Sequence, residues 1–338
     1  MDRSEIESLA SRGDFNGAPL HASLEETHIS WILLGAGCAF KIKKPVRLSF
    51  LDFSRVSQRR QACRKELRLN SRFSPIYQQV LPVREHNGQF SIGGAKGRIV
   101  DYAVVMRRLA ATKKMDAMLN VEKVSAGHIV ALAQEIAFMH SRSQTIAKPF
   151  DLAELARTFD DLGGVTSFAS EQLGQRYGDL IERARSFSAA CLSRYGGRIN
   201  ERVGLGYRRD VHGDLHCGNI FLYKKPVLFD CLEYNDTFRQ IDVIDELAFL
   251  CMDMESYCKQ AFSEIFLSTY CDYFPCFQVP EDSLVFIYYK CLRANIRAKV
   301  FAIAAQSSAN RSVRQVALAK CRKYLDLMES YIDLIAEK

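Results

Sequence analysis

The pattern of apolar and polar positions divides the chain into two stretches of different character. From residue 28 to residue 109, apolar residues recur at period two or in short runs bounded by turn residues, as strands require. Ile29 to Leu34 and Cys38 to Lys43 flank Gly35-Ala36-Gly37 and predict a hairpin, halted by Pro45. Gln79 to Arg84, a polar turn at His86-Asn87-Gly88, Gln89 to Ile92 and the apolar run Val100 to Leu109 predict further strands. One helix interrupts them. From Ser54, a candidate N-cap, to Phe73 there is no Gly or Pro, and Val56, Cys63 and Leu67 fall near helical spacing among many basic residues, so this helix is expected to lie exposed.

After Leu109 the period lengthens. Residues 113 to 142, 151 to 158 and 170 to 194 read as helices, with breaks expected at Gly163-Gly164 and Gly196-Gly197. Asn219 to Asp230 reads as strand, turn at Lys224-Lys225-Pro226, and strand; helical spacing resumes from Ile241 to Tyr257 and from Asp282 to the end. The pattern therefore predicts an α+β protein with a small antiparallel sheet and one helix over residues 1–108, followed by a mainly helical part over 109–338.

Composition narrows the class without naming a partner. Of 338 residues, 48% are hydrophobic and 25% charged, which excludes a disordered or collagen-like chain. A formal charge of +7 suits anionic ligands but falls short of a nucleic-acid module, and none is expected as a partner. The eleven cysteines are odd in number, irregularly spaced and without a C-x-x-C pair, so neither structural zinc nor a disulfide framework is expected. Met1-Asp2-Arg3-Ser4-Glu5 lacks the basic-then-apolar order of a leader, and no uncharged apolar run reaches the roughly 18 residues of a membrane span. The expectation is a cytoplasmic protein with reduced thiols and no membrane partner.

The chemistry concentrates in Val211-His212-Gly213-Asp214-Leu215-His216-Cys217-Gly218-Asn219 and in Val227-Leu228-Phe229-Asp230. Asp214 and Asn219 lie five apart on a glycine-rich loop, and the predicted hairpin out through Phe221 and back through Phe229 returns Asp230 toward Asn219. An amide oxygen and a carboxylate then converge, as Mg²⁺ on a nucleotide needs, because this hard ion takes one or two protein oxygens beside phosphate oxygens. Asp214 is left to accept a hydroxyl proton.

This segment resembles the catalytic core of the aminoglycoside phosphotransferase family, within the protein-kinase-like fold, where a His-Gly-Asp-x-His-x-x-Asn loop precedes a metal-binding Asp. The resemblance runs from Glu26 to Met254 and is closest to an uncharacterised bacterial branch with His28-Ile29-Ser30-Trp31 and Lys41-Ile42-Lys43-Lys44-Pro45 segments. It implies a bilobal kinase-like fold using ATP and Mg²⁺, with Asp214 as catalytic base, Asn219 and Asp230 as metal ligands, His212 as loop buttress and His216 as structural. Cys38-Ala39-Phe40-Lys41 resembles the kinase Val-Ala-Ile-Lys. Lys41 would reach the nucleotide phosphates, with Lys43, on the same strand face, as its rival. Glu66 would pair with Lys41, and the backbone from Met106 to Arg108 would bind adenine. Two departures stand out. Glu26-Thr27-His28-Ile29-Ser30 replaces the glycine-rich loop, and Asp230-Cys231-Leu232-Glu233 replaces Asp-Phe-Gly, with Glu233 either a further metal contact or a flanking acid.

Other residues carry plainer readings. Asp242 either braces the catalytic loop, as in the family, or serves a helix N-terminus. Lys290, Arg293, Arg297 and Lys299 recur near helical spacing and read as a solvated face or a contact to an anionic acceptor. Cys217 reads as filler in the motif and not as a nucleophile. The expected activity is phosphoryl transfer from ATP to a small-molecule hydroxyl. A regulatory pseudokinase and a transferase that phosphorylates or adenylylates protein side chains are the alternatives.

Overall fold

A computed structural model describes residues 1–48 and 51–336. The chain divides into two compact units, Met1–Lys114 with Val227–Asp236, and Met115–Pro226 with Thr237–Lys338. The first unit thus ends six residues beyond the boundary read from the sequence and takes in a ten-residue segment from far along the chain.

The first unit is built on strands β1 (Asp14–Phe15), β2 (Ala18–Pro19), β3 (Ser23–Glu26), β4 (Ser30–Leu34), β5 (Cys38–Lys43), β6 (Arg47–Leu48), β7 (Leu51–Asp52), β8 (Tyr77–His86), β9 (Gln89–Ile92) and β10 (Arg98–Arg107), with helices α1 (Arg3–Arg12) and α2 (Val56–Asn70). Eight strands form one sheet in the order β2-β1-β9-β8-β10-β5-β4-β3, and β6 pairs with β7 apart from it. The sheet is antiparallel except where β1 runs parallel to β9, Asp14 opposite Ser91. A two-residue strand carries too little pattern for that pairing to be read from sequence. One sheet face buries Leu33, Phe40, Ile42, Val83, Ile92 and Val105 with Ile6 and Leu9 of α1. Helix α1 opens with a capping box in which the Asp2 carboxylate accepts from the Glu5 amide and Glu5 reciprocates.

Helix α2 departs from the expected register. Its N-cap is Arg55, whose amide donates to Gln58, and its buried residues are Arg59, Cys63, Glu66, Leu69 and Asn70. Three of the five are polar, which hid this face from a hydrophobic reading. Burial is tolerated because each is partnered; Arg59, for example, donates to Asp101 and to the Phe53 carbonyl.

The second unit is mainly helical: α3 (Met115–Asn120), α4 (Ala126–Arg142), α5 (Leu152–Asp160), α6 (Thr166–Leu173), α7 (Gln175–Gly204), α8 (Val243–Glu255), α9 (Gln260–Tyr273), α10 (Pro280–Ser307) and α11 (Arg311–Ala336). The break expected at Gly196-Gly197 does not occur, since α7 runs through it. A Cβ on Gly196 would meet Leu152 Cδ1 at 2.6 Å, so this glycine serves the close approach of α5 to α7 and ends nothing. The Gly163-Gly164 break does fall in a 3₁₀ turn. Strand β11 (Arg208–Asp210) pairs antiparallel with Gln240–Asp242 and leads into the glycine-rich loop.

Candidate active site

In the first unit, strand alternation puts Lys41 and Lys43 on one face of β5, and both find Glu66 of α2. Lys41 Nζ lies 2.8 Å from Glu66 Oε1 and 2.6 Å from Asp230 Oδ1. Lys43 Nζ lies 2.6 Å from Glu66 Oε2 and 2.6 Å from Glu233 Oε1. Two ammonium groups and three carboxylates thus form one network, buried except at Asp230, with Glu66 at its centre. The rivalry between the lysines has a physical difference behind it. Lys43 and both its carboxylates are sealed, whereas the Asp230 side chain on Lys41 is 42% exposed.

Burial alone would lower the pKa of Lys41, but Asp230, Glu66 and Glu233 outweigh it and hold the ammonium well above its ordinary range. The same opposition raises Lys43, with Glu233 and Glu66 prevailing over burial. Burial would raise Glu66, but Lys41 and Lys43 keep its carboxyl below the usual range.

Asp230 sits at φ 62°, a left-handed backbone unusual for a residue with a side chain. Its amide donates to the Tyr77 hydroxyl at 2.9 Å, and the next amide, of Cys231, donates to Asn70 Oδ1 at 2.7 Å. These two side chains hold the strained turn, and sequence reasoning missed both. Asn70 carried a faint signal, an amide near the end of a charged helix; Tyr77 carried none. Glu233 pairs with Lys43.

Met106 is buried in β10, opposite Ala39 of β5 and Tyr77 of β8. The Arg107 amide donates to Ile76 and the Arg108 amide to the Gly37 carbonyl at 3.0 Å, while the Arg108 guanidinium donates to the Gly35 carbonyl at 2.6 Å. The sequence reading that put adenine on the backbone through Arg108 therefore has those two N–H groups already engaged in the unit's own turns. At the position of the missing glycine loop, the Thr27 amide donates to the Ser30 carbonyl and the Ser30 amide to Thr27 Oγ1, so this turn is closed on itself.

In the second unit, the loop after β11 is held by a different set of groups. Asn219 Nδ2 donates to both Asp214 Oδ2, at 3.0 Å, and the Asp214 carbonyl, at 2.9 Å. The amide oxygen of Asn219 makes no hydrogen bond among the described residues and is left as a hard donor. His216 Nδ1 accepts from the Gly218 amide and its ring packs on Phe249, which fits the structural role expected for it. Two buried acids seven apart on α8 anchor the loop to that helix. Glu246 accepts from the Gly213 amide and pairs with His140, while Asp253 accepts from the Cys217 amide and from the Tyr324 hydroxyl. Burial alone would raise both acids, but hydrogen-bonded His140, with His212, holds Glu246 below its ordinary range, and His216 and Arg297 do so for Asp253.

Of the two readings of Asp242, loop brace or helix N-terminus, the structure has the second. Asp242 is salt-bridged to Arg202 at 2.7 Å and caps α8 through the Ile244 amide. Its position immediately before α8 aims it along the helix axis, and Glu246 and Asp253, on the helix flank, reach the loop instead. Cys217 is fully buried and burial pushes its thiol well above the ordinary range, so it holds no thiolate, in line with the filler reading.

Comparison with solved structures then places the architecture. A choline kinase from Cryptosporidium parvum aligns over 98% of this chain and 97% of its own, with TM-score 0.56 and 11% identity. The GDP and kanamycin complex of APH(2")-IIia aligns over 97% and 99%, with TM-score 0.53 and 12% identity. A choline/ethanolamine kinase family protein from Mesorhizobium loti aligns over 98% and 100%, with TM-score 0.51 and 14% identity. The chain has the protein-kinase-like fold. These neighbours share that α+β fold with the chain, as the motif resemblance implied. Uncharacterised proteins of Mycobacterium tuberculosis and Mycobacterium bovis are 32% identical over 256 residues, 73% of this chain. The matched region spans about half the length of those relatives, 48%. No protein-family model matches the chain. Among the described residues of this kinase-like fold, no helix is long and apolar enough to cross a membrane.

Proposed function

We propose that the protein transfers the γ-phosphoryl group of ATP to a hydroxyl of a small molecule. The observation that carries this reading is the Lys41–Glu66 ion pair, set beside the Asp230 carboxylate. A buried lysine held extended by a helical glutamate is how this chemistry fixes nucleotide phosphates. Asp230 and Asn219 are the proposed Mg²⁺ ligands; their carboxylate and amide oxygens suit a hard ion, which would neutralise charge on the phosphates. Asp214, oriented by the Asn219 amide, accepts the hydroxyl proton. As the acceptor oxygen bonds to the γ-phosphorus, the bond from phosphorus to the β–γ bridging oxygen breaks and ADP departs. Choline kinase and the kanamycin-bound phosphotransferase, which share the fold, support a small hydroxyl compound as acceptor. Eleven unpaired thiols support a reducing, cytoplasmic setting.

The self-closed Thr27–Ser30 turn, where a phosphate-covering loop would stand, favours a second reading, a nucleotide-binding protein without turnover. ATP labelled at the α or the γ position, incubated with Mg²⁺ and a metabolite extract, separates the two and also detects transfer of AMP. Transfer of γ-label is expected, and Asp214→Asn is expected to lower it by roughly 10²–10⁴-fold while ATP binding persists. Undiminished transfer by that variant overturns the assignment.

A further inference from the structure

The basic positions of α10 are not a solvated face. Lys290 lies 2.7 Å from Glu255, Arg293 forms a two-pronged bridge to Asp245 at 2.7 and 2.8 Å, and Lys299 pairs with Asp161. Arg297 is the exception. It has no ion-pair partner among the described residues, and its Nε is buried without a hydrogen bond. One turn away, the Arg293 guanidinium is committed to Asp245; Arg297 is not committed to any carboxylate.

Beside it, α11 contributes two more cations. Phe301 and Tyr324 stack face to face, ring centroids 5.7 Å apart, and the cations gather on this pair. Arg297 lies 4.9 Å from the Phe301 centroid and 5.5 Å from that of Tyr324; Lys323 lies 5.1 Å from Tyr324 and Lys320 5.1 Å from Phe301. Lys323 Nζ also lies 4.7 Å from the Tyr257 ring and donates to the neutral Ser256 hydroxyl at 3.1 Å. The acid that faces both Arg297 and Lys323 is Asp253, and its two oxygens already serve the Cys217 amide and the Tyr324 hydroxyl. Burial lowers the Lys323 pKa, Asp253 opposes it, and Lys320 and Arg297 add to it. The cluster therefore holds more positive charge than its carboxylates offset. Asp214 lies within electrostatic reach of Arg297, and Asp253 joins the cluster to the loop that carries Asp214.

We propose that Arg297 and Lys323 form an anion subsite for the acceptor, so that the substrate is a hydroxyl compound that also bears a carboxylate or a phosphate. The proposal rests on the phosphotransferase reading only for the role of Asp214. The anion would meet the Arg297 guanidinium, which no carboxylate among the described residues neutralises, and the Lys323 ammonium, and its hydroxyl would lie toward Asp214. Cationic amino alcohols would be repelled from the same place.

The test is calorimetric titration of the full chain, saturated with ADP and Mg²⁺, with four probes: glycerol 3-phosphate, glycerate, glycerol and choline. The anionic probes are expected to bind and the other two not, and whichever of phosphate and carboxylate binds more tightly identifies the anion. Arg297→Gln and Lys323→Gln are each expected to weaken anion binding by roughly tenfold or more, and Arg297→Lys to recover much of it. Lys323→Gln keeps the test sound if Arg297→Gln fails to fold, since the only hydrogen bond of the Lys323 ammonium among the described residues goes to a neutral hydroxyl. Equal binding of all four probes, no anion binding, or anion binding unchanged in folded variants overturns the subsite. Asp214→Asn, titrated alongside, is expected to retain anion binding. Intact, variant-sensitive anion binding with no γ-label transfer to any compound would uphold the subsite and sink the phosphotransferase reading alone.

Discussion

Lys43 shows how much a single buried charge depends on its partners. Its ammonium, Glu66 and Glu233 are all sealed from water, so removing the cation strands Glu233 and leaves Glu66 to Lys41 alone. Breaking a buried pair from one side costs about 3–5 kcal/mol, because the surviving charge keeps its desolvation penalty. Lys43→Met is therefore expected to lower the unfolding free energy by an amount in that range, read from urea titrations. Lys41 differs because one of its carboxylates, Asp230, keeps 42% of its side chain exposed and can be hydrated when the lysine is lost. Lys41→Met is expected to cost less stability than Lys43→Met but to abolish ATP-dependent transfer. If Lys43→Met were the milder change in a denaturation series, the account of which lysine is sealed would be wrong.

At the scale of elements, two short segments carry sharp constraints. The loop after β11 turns at Gly213, whose φ of +82° disfavours any side chain, and a Cβ there would stand 2.7 Å from the Phe238 carbonyl oxygen. Backbone strain of this kind costs about 1–3 kcal/mol, and the added methyl also pushes the loop from the Glu246 carboxylate that accepts the Gly213 amide. Gly213→Ala is expected to lower stability by at least that range and to impair transfer, with nucleotide binding largely kept; a thermal melt beside an activity assay checks both. The start of α10 is governed by Asp282, which is bridged to Arg198 at 2.9 Å and accepts from the Gln278 and Val279 amides. Burial would raise its carboxyl, but Arg198, these amides and Arg202 bring it down to about 2. Because the folded value lies below the unfolded one of about 3.9, the contribution is complete above the unfolded pKa. It is lost as pH falls toward 2. Asp282→Asn is expected to be less stable than the parent at pH 6, with the gap narrowing between pH 4 and pH 2 in urea titrations.

The molecule as a whole is not two consecutive pieces of chain. Val227–Asp236 belongs to the first unit, bringing Asp230 to Lys41, Glu233 to Lys43 and the Cys231 amide to Asn70. A fragment ending at Lys114 would leave two buried lysines to share Glu66 alone, at a cost of several kcal/mol. That fragment is expected to be loosely packed, with weak near-ultraviolet dichroism and early melting. A fusion that restores residues 227–236 through a flexible linker is expected to recover cooperative unfolding. Cooperative unfolding of the bare fragment would show that the segment is dispensable to the unit.

What could be read from the sequence was what local spacing encodes. Alternation on Cys38–Lys43 put Lys41 and Lys43 on one face, and the loop from His212 to Asn219 named Asp214 and Asn219 by interval alone, because strand period and turn chemistry act over a few residues. The resemblance implied the Lys41–Glu66 pairing and left Lys43 as a rival, and Glu66 in fact pairs with both. Long-range polar burial was not legible. Tyr77 under Asp230, Glu246 and Asp253 under the loop after β11, and the difference between Arg293, bridged to Asp245, and Arg297, without a carboxylate partner among the described residues, are all absent from the pattern. A buried charged residue reads as a surface residue until its partner, tens or hundreds of residues away, is brought beside it. The sequence by itself determined the hairpin that carries Lys41 and the local spacing of the chemical motifs. Only the tertiary structure decided which charges are neutralised and which remain available, because that balance depends on desolvation and on partners supplied by other elements.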